Sequence, residues 1–252
     1  MPTPLTLTPI SGIPLIQPGD DLAEIILRAI AKAGMKLEDG DVLVVTSKIV
    51  SKAEGRLVNL AQVTPSPHAV ELAAQTEKDP RLVELILRES AQVLRIRPGV
   101  IIVEHRLGFV CANAGIDHSN VQSPDGVLLL PENPDDTAQS LRRSLEAASG
   151  VRLGVLVIDS HGRAWRMGTV GATIGLSGLP GLVDLRGRPD LFDFRLQITQ
   201  VGASDELAAA ASLVMGQAAE GTPVVHVKGF PYPLREASLS ELLRPQDQDL
   251  FR

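Results

Sequence analysis

Two stretches constrain this chain most. Val42–Thr46 and Val151–Ile158 are aliphatic runs without polar alternation, the second broken by Arg152. A strand with one face in water alternates, whereas an unbroken apolar run reads as a strand buried on both faces. Helical spacing recurs between and around them. Leu22–Ala33 places Leu22, Ile25, Ile26, Ala29, Ile30 and Ala33 on one face, with Asp20 or Asp21 as cap and Gly34 as stop. Helices are also expected over Pro67–Gln75, Arg81–Glu89, Asp135–Ala148 and Asp205–Ala219, with a short one near Leu239–Leu243. Further strands are expected at Leu5–Ile10, Val93–Ile96, Val100–Glu104, Phe109–Ala112, Phe194–Val201 and Pro223–Val227. This interleaving predicts an α+β (mixed α/β) protein. The stretch Gly162–Gly187 holds seven glycines and fits neither period, so it is expected to serve a ligand or to pack closely on something.

Charge and cysteine content narrow the function. Thirty acids against twenty-four bases give a net charge of −6, which argues against a nucleic-acid or anionic-membrane binder, and 3% aromatics leave no base-stacking platform. The lone Cys111 excludes an internal disulfide and a Cys-based zinc site, and is expected to pack. No run reaches the 18 or so apolar residues of a membrane helix. The opening residues lack the basic region of a signal peptide, so a cytoplasmic location is expected.

Familiar phosphate loops are missing, since no two glycines stand one residue apart and there is no GxxxxGK sequence. Three other segments carry chemistry. Thr46–Arg56 starts where a buried strand ends and sets Lys48 and Lys52 four apart, on one face of a helical turn that suits a polyphosphate. Ala114–Asn120 follows a strand and brings Asp117, Ser119 and Asn120 together, oxygen donors suited to a hard cation or to a plain turn. Ile158–Arg163 adds Asp159, Ser160 and His161 after the second buried strand, with Arg163, Arg166 and Arg186 beyond. Ser204–Glu206 reads as a helix cap, His226 as a core histidine and Trp165 as packing. Gln217 stands near the end of the Ala-rich helix.

The segments SGIPLI, SKIVSKAEGR, AGIDHSN, LLLPENPD, DSHGRAWRMG and ASDELAAAASLVMGQ, in that order, resemble the coenzyme F420 gamma-glutamyl ligase family over nearly the whole chain. The resemblance implies a GTP-dependent amide ligase that joins L-glutamate to F420-0 through an acyl phosphate and then adds further gamma-linked glutamates. It also implies two divalent ions, Mg²⁺ or Mn²⁺, with K⁺ as a further candidate, and an intertwined homodimer of one two-lobed module spanning residues 1–252. Carried onto this chain, Ile13, Pro14, Leu15, Ile16, Ser47, Lys48, Lys52 and Asn120 contact the nucleotide. Asp117, Asp159, Ser160 and Gln217 hold metal, and Asp117, Asp159 and Lys52 are catalytic. Some relatives carry a fused reductase-like domain; with the chain ending at Arg252, a stand-alone ligase is expected. Two alternatives stay open: a dinuclear phosphohydrolase built on Asp117–His118 and Asp159–His161, and a GTP-binding module without turnover.

Overall fold

The structure, a computed structural model, describes residues 4–121 and 123–250. The outermost residues of the expected 1–252 module therefore lie outside the described residues. At its centre is a five-stranded sheet in the order β1 (Thr6–Pro9), β12 (Val224–Lys228), β2 (Val42–Thr46), β8 (Gly154–Arg163) and β9 (Arg166–Ser177). All neighbours are antiparallel except β2 and β8, which run parallel with Val42 beside Gly154 and Thr46 beside Ile158.

Both faces of this sheet are covered, as the two apolar runs require. Leu43, Val45, Val155 and Val157 face one cluster, which also takes Ile26 and Ile30 of α1 (Leu22–Lys32) and Leu141 and Leu145 of α5 (Pro134–Ser149). Val42, Val44, Leu156 and Ile158 face the other, against Leu207, Ala208 and Ala211 of α6 (Ala203–Met215). Side chains along a strand alternate between faces, so one continuous run supplies both cores.

The remaining elements pack around smaller clusters. Strands β4 (Ser90–Arg97), β5 (Val100–His105) and β6 (Val110–Ala112) form an antiparallel sheet under α3 (Pro67–Thr76) and α4 (Pro80–Arg88). Cys111 is buried in that cluster, as expected. Strands β3 (Leu57–Asn59) and β7 (Gly126–Leu128) pair between it and the short helix α2 (Ser47–Ala53). Three helices start with the same chemistry: Ser66, Asp79 and Asn133 each accept a backbone N–H through the side chain, and a proline follows at the first helical position. Gly150 closes α5 at a φ of 75°.

Several sequence expectations need correction. The second buried strand begins at Gly154, because Arg152 and Leu153 donate their backbone N–H groups to Asp39 and Glu146 instead of to a neighbouring strand. It then continues to Arg163, so Asp159 stands within a strand and not in a loop. The middle of the glycine-rich stretch is β9, the return arm of that hairpin. Two of its glycines serve packing: a Cβ on Gly171 would lie 2.4 Å from the Ala208 carbonyl of α6, and one on Gly175 2.4 Å from Pro134 of α5. The helices dock on opposite faces of β9 only because those positions are bare.

The expected strand Phe194–Val201 shrinks to β11 (Gln200–Val201), paired with β10 (Val183–Asp184). Asp190 draws the backbone N–H groups of Phe192 and Phe194 into a turn. The α6 helix stops at Met215, where Gly216 takes a φ of 76°. No side chain caps its start; the Asp205 carboxylate instead accepts the Thr173 N–H at the bulge in β9. The expected helix near Leu239 is a single 3₁₀ turn, Leu239–Glu241. Trp165, expected to pack, is 87% exposed at the hairpin tip.

Candidate functional site

The carboxyl ends of the parallel pair β2 and β8 create the site. Because Thr46 lies beside Ile158, the residues that follow them, Ser47 and Asp159, are neighbours. Ser47 opens α2 and donates its hydroxyl to Asp159 Oδ1 at 2.6 Å. Ligand sites in parallel arrangements commonly sit outside such strand ends. One residue on, Lys48 reaches away from the sheet to Asp117, with Nζ 2.8 Å from Oδ2, and donates to Ser119 Oγ at 2.6 Å.

Asp117 is held from behind. Its backbone N–H and carbonyl both pair with Leu128 of β7, and its carboxylate accepts the Ser119 N–H at 2.6 Å and the Ser119 hydroxyl at 3.0 Å. Burial works to raise its pKa, but Lys48 and Ser119 outweigh it and hold the carboxyl below its ordinary 3.8. Asp159 behaves alike: burial opposes ionisation, while neighbouring His161 and Ser47 favour it, and the net direction is down. Both are therefore carboxylates at neutral pH. Lys52, one turn beyond Lys48 on α2, has its pKa lowered by burial first and by Lys48 second.

Two adjoining recesses meet here. The first, about 410 Å³, is lined by Ile13, Pro14, Leu15 and Ile16 on one side, by Lys48, Lys52 and Asn120, and by the turn Gly216–Pro223 on the other. The second, about 300 Å³, lies between Asp117, Ser119 and Cys111 on one wall and Asp159, His161 and Thr169 on the other. Lys48, Asp159, Ser160 and Gln217 line both. Gln217 joins the group because its Oε1 accepts from the Ser160 hydroxyl at 2.9 Å while its amide donates to Ser212 Oγ at 2.9 Å.

The structure thus gathers the expected residues. Lys48, Lys52, Asp159, Ser160, Gln217, Asn120 and Ile13 to Ile16 line the first recess, Asp117 lines the second, and Ser47 bonds to Asp159. The arginines do not join them: Arg163 and Arg166 sit exposed at the hairpin tip and Arg186 is held by Asp184. His118 is exposed, and among the described residues no three His, Cys, Asp or Glu side chains converge on one point, so the imidazole–carboxylate cage of a dinuclear hydrolase is not formed. His226 lies in the core as expected, bonded to buried Asp41 at 2.6 Å.

One participant carried no usable sequence signal. Ser212 orients Gln217 from within an Ala-rich helix, and only the docking of α6 on β9 reveals it. His161 lies with its Nε2 buried, 3.2 Å from Asp159 Oδ2 yet without a hydrogen-bond partner.

Comparison with known proteins adds a second line. A sequence profile described as F420-0:gamma-glutamyl ligase matches residues 12–229. A coenzyme F420:L-glutamate ligase of Methanothermobacter thermautotrophicus is 46% identical over 98% of this chain and 99% of its own. That of Methanopyrus kandleri is 47% identical over 96% and 97%, and that of Archaeoglobus fulgidus 43% over 97% and 95%.

Proposed function

This chain belongs to the F420-0:gamma-glutamyl ligase family, a family of ligase enzymes, and from that premise we propose that it joins the amino group of L-glutamate to the carboxylate of F420-0 at the expense of GTP, adding further gamma-linked glutamates afterwards. The observation that carries this reading is the shared wall between the two recesses: Lys48 and Asp159 belong to both, so a nucleotide in one presents its terminal phosphate to a carboxylate in the other.

The division of labour follows from the residues. Ile13, Pro14, Leu15 and Ile16 offer an apolar wall to a purine, and Lys48 and Lys52 on one face of α2 meet the phosphates. Asn120 and Ser47 supply hydrogen bonds at the same end. Attack of a carboxylate on a phosphate brings anions together, so the fixed lysines lower that repulsion, and the product of the first step is an acyl phosphate open to the glutamate amine. Ser47 and Ser119 keep Asp159 and Asp117 in place and ionised.

The donor set also fits Mg²⁺ or Mn²⁺. Asp117, Asp159, the Ser160 hydroxyl and the Gln217 amide oxygen are hard oxygen ligands lining one recess. Two such ions, when bound, would neutralise phosphate charge, with substrate and water oxygens completing the shells. K⁺ is kept as a candidate monovalent ion at the phosphates.

Exposed apolar residues support a homodimer. Trp165 and Met167 at the hairpin tip are 87% and 96% exposed, and Leu191, Phe192 and Ile198 on the arm between β10 and β11 are 87–96% exposed. Apolar side chains so exposed are a liability in a monomer and suit an intertwined pair of two-lobed subunits. No described helix is long and apolar enough to cross a membrane, and a cytoplasmic location suits a GTP-consuming enzyme.

Mass spectrometry of F420-0 incubated with the protein, L-glutamate, GTP and Mn²⁺ tests the reading. Gain of one or more glutamyl units, lost without GTP, is the expected result. Release of phosphate from GTP without glutamyl gain would favour a hydrolase, and neither would leave a binding module.

A further inference from the structure

We propose that His161 is a positioning residue for Asp159: its Nε2–H holds Oδ2 while Ser47 holds Oδ1, which sets the plane in which that carboxylate meets a divalent ion. The inference rests on the metal reading given above and deepens it. Asp159 and His161 stand two residues apart on β8, so the strand turns both side chains to one face. Both are nearly enclosed, with side chains 15% and 12% exposed, and both line the second recess. The Ser47 hydroxyl reaches Oδ1 at 2.6 Å, and His161 Nε2 lies 3.2 Å from Oδ2.

The imidazole is held from behind. Its ring sits against Phe109, centroids 5.2 Å apart, and Phe109 is in turn stacked on buried His105 at 5.1 Å with planes 3° apart. This column ties the ring to β5 and the turn after it, so the nitrogen has a fixed place. In the ligand-free arrangement Nε2 is buried and not yet aligned with an acceptor. Buried polar atoms are almost always satisfied, and a carboxylate turns readily about its last bond, so Asp159 Oδ2 is the acceptor this nitrogen is placed to serve. Each carboxylate oxygen has a second lone pair, which stays open to an ion after Ser47 and His161 are served. Outer hydrogen bonds of this kind orient metal ligands, and their loss typically costs about 10–100-fold in metal affinity.

Titration with Mn²⁺ alone, followed by the electron paramagnetic resonance signal of the free ion, tests this on the wild type and two variants. His161→Phe keeps the ring contact with Phe109 and removes the nitrogen. His161→Gln gives up the ring but returns an N–H donor. The Kd for Mn²⁺ should rise by about tenfold or more in His161→Phe and come back to within about threefold of the wild type in His161→Gln. Melting temperatures should stay within a few degrees of one another. If His161→Phe does not fold, His161→Ala takes its place in the comparison with His161→Gln. Unchanged Mn²⁺ affinity in the variant without the nitrogen would overturn the proposal. So would a His161→Gln variant as weak as His161→Phe, since the ring and not its N–H would then matter. A nitrogen coupling to bound Mn²⁺ that is present in the wild type and lost in His161→Gln would make His161 a direct ligand and equally overturn it. A wild type that binds no Mn²⁺ would sink the metal reading itself, a failure separate from any difference between variants.

Discussion

Ser47 donates its hydroxyl to Asp159 at 2.6 Å across 112 residues of chain, and the bond exists because β2 runs parallel to β8 and ends where Thr46 pairs with Ile158. The contact joins the start of the lysine-bearing helix α2 to a buried carboxylate. Positioning of Lys48, Lys52 and Asp159 therefore follows from the register of two core strands.

Asp159→Asn keeps an oxygen for the Ser47 hydroxyl but removes the charge. Glutamyl transfer should fall by about 10²-fold or more, the scale of losing one preorganised electrostatic group, with a change in melting temperature of only a few degrees. Steady-state kinetics and calorimetry on the purified variant check both halves. A collapse of stability with activity per folded molecule intact would make Asp159 structural.

Lys48 and Asp117 should be energetically coupled. In a double-mutant cycle of Lys48→Met and Asp117→Asn, read out as GTP affinity by titration calorimetry, the coupling is expected at about 1 kcal/mol, typical of a partly exposed, hydrogen-bonded pair. Additive effects would show that the 2.8 Å contact has no bearing on nucleotide binding.

Gly175→Ala should be strongly destabilising. Its Cβ would lie 2.4 Å from Pro134, and overpacking of this kind costs about 1–3 kcal/mol, or roughly 3–10 °C in a protein of this size. Gly171→Val should act the same way against α6 and lower stability well before any question of ligand affinity arises. Thermal melts decide it, since melting curves that match the wild type would mean these glycines face open space.

Acid should weaken the fold through His105. Burial lowers its pKa from the ordinary 6.5 to about 4, against the smaller opposing pull of Glu89. As pH falls through that window the unfolded chain takes up the proton first, so this contribution is complete above pH 6.5 and is lost toward pH 4, by about 3 kcal/mol in all. His105→Asn, which retains an acceptor for the Leu107 N–H, should show a flatter stability profile between those pH values in urea titrations.

Phe192→Glu tests the exposed arm. Light scattering should show a dimer for the wild type and a monomer, or a markedly weaker dimer, for the variant. Identical masses would place the interface elsewhere.

Much of the site was legible in the sequence because its main side chains follow apolar runs or short strands. Lys48 comes two residues after the apolar run Val42–Thr46, Asp159 one residue after Ile158, and Asp117 five after Ala112. Hydrophobic patterning locates those ends, so it locates the residues beyond them. What patterning could not supply was the other wall. Ser212 meets Gln217 through the turn that follows α6, and Asp205 meets the β9 bulge because bare Gly171 lets α6 lie on the hairpin; glycine spacing alone does not distinguish a helix seat from a ligand seat. The exposed arm misled for a related reason: its apolar residues spell a strand, but the Asp190 carboxylate turns the backbone and leaves Phe192 and Phe194 outside.

Oxygen tracing tests the central claim most directly. With ¹⁸O in the terminal carboxylate of F420-0, ligation through an acyl phosphate moves one labelled oxygen into the phosphate released from GTP with the first glutamate added. Labelled phosphate in that proportion, read by mass spectrometry, is the predicted result. Unlabelled phosphate, its fourth oxygen drawn from solvent, would contradict it, because water and not the acceptor carboxylate would then have attacked the nucleotide.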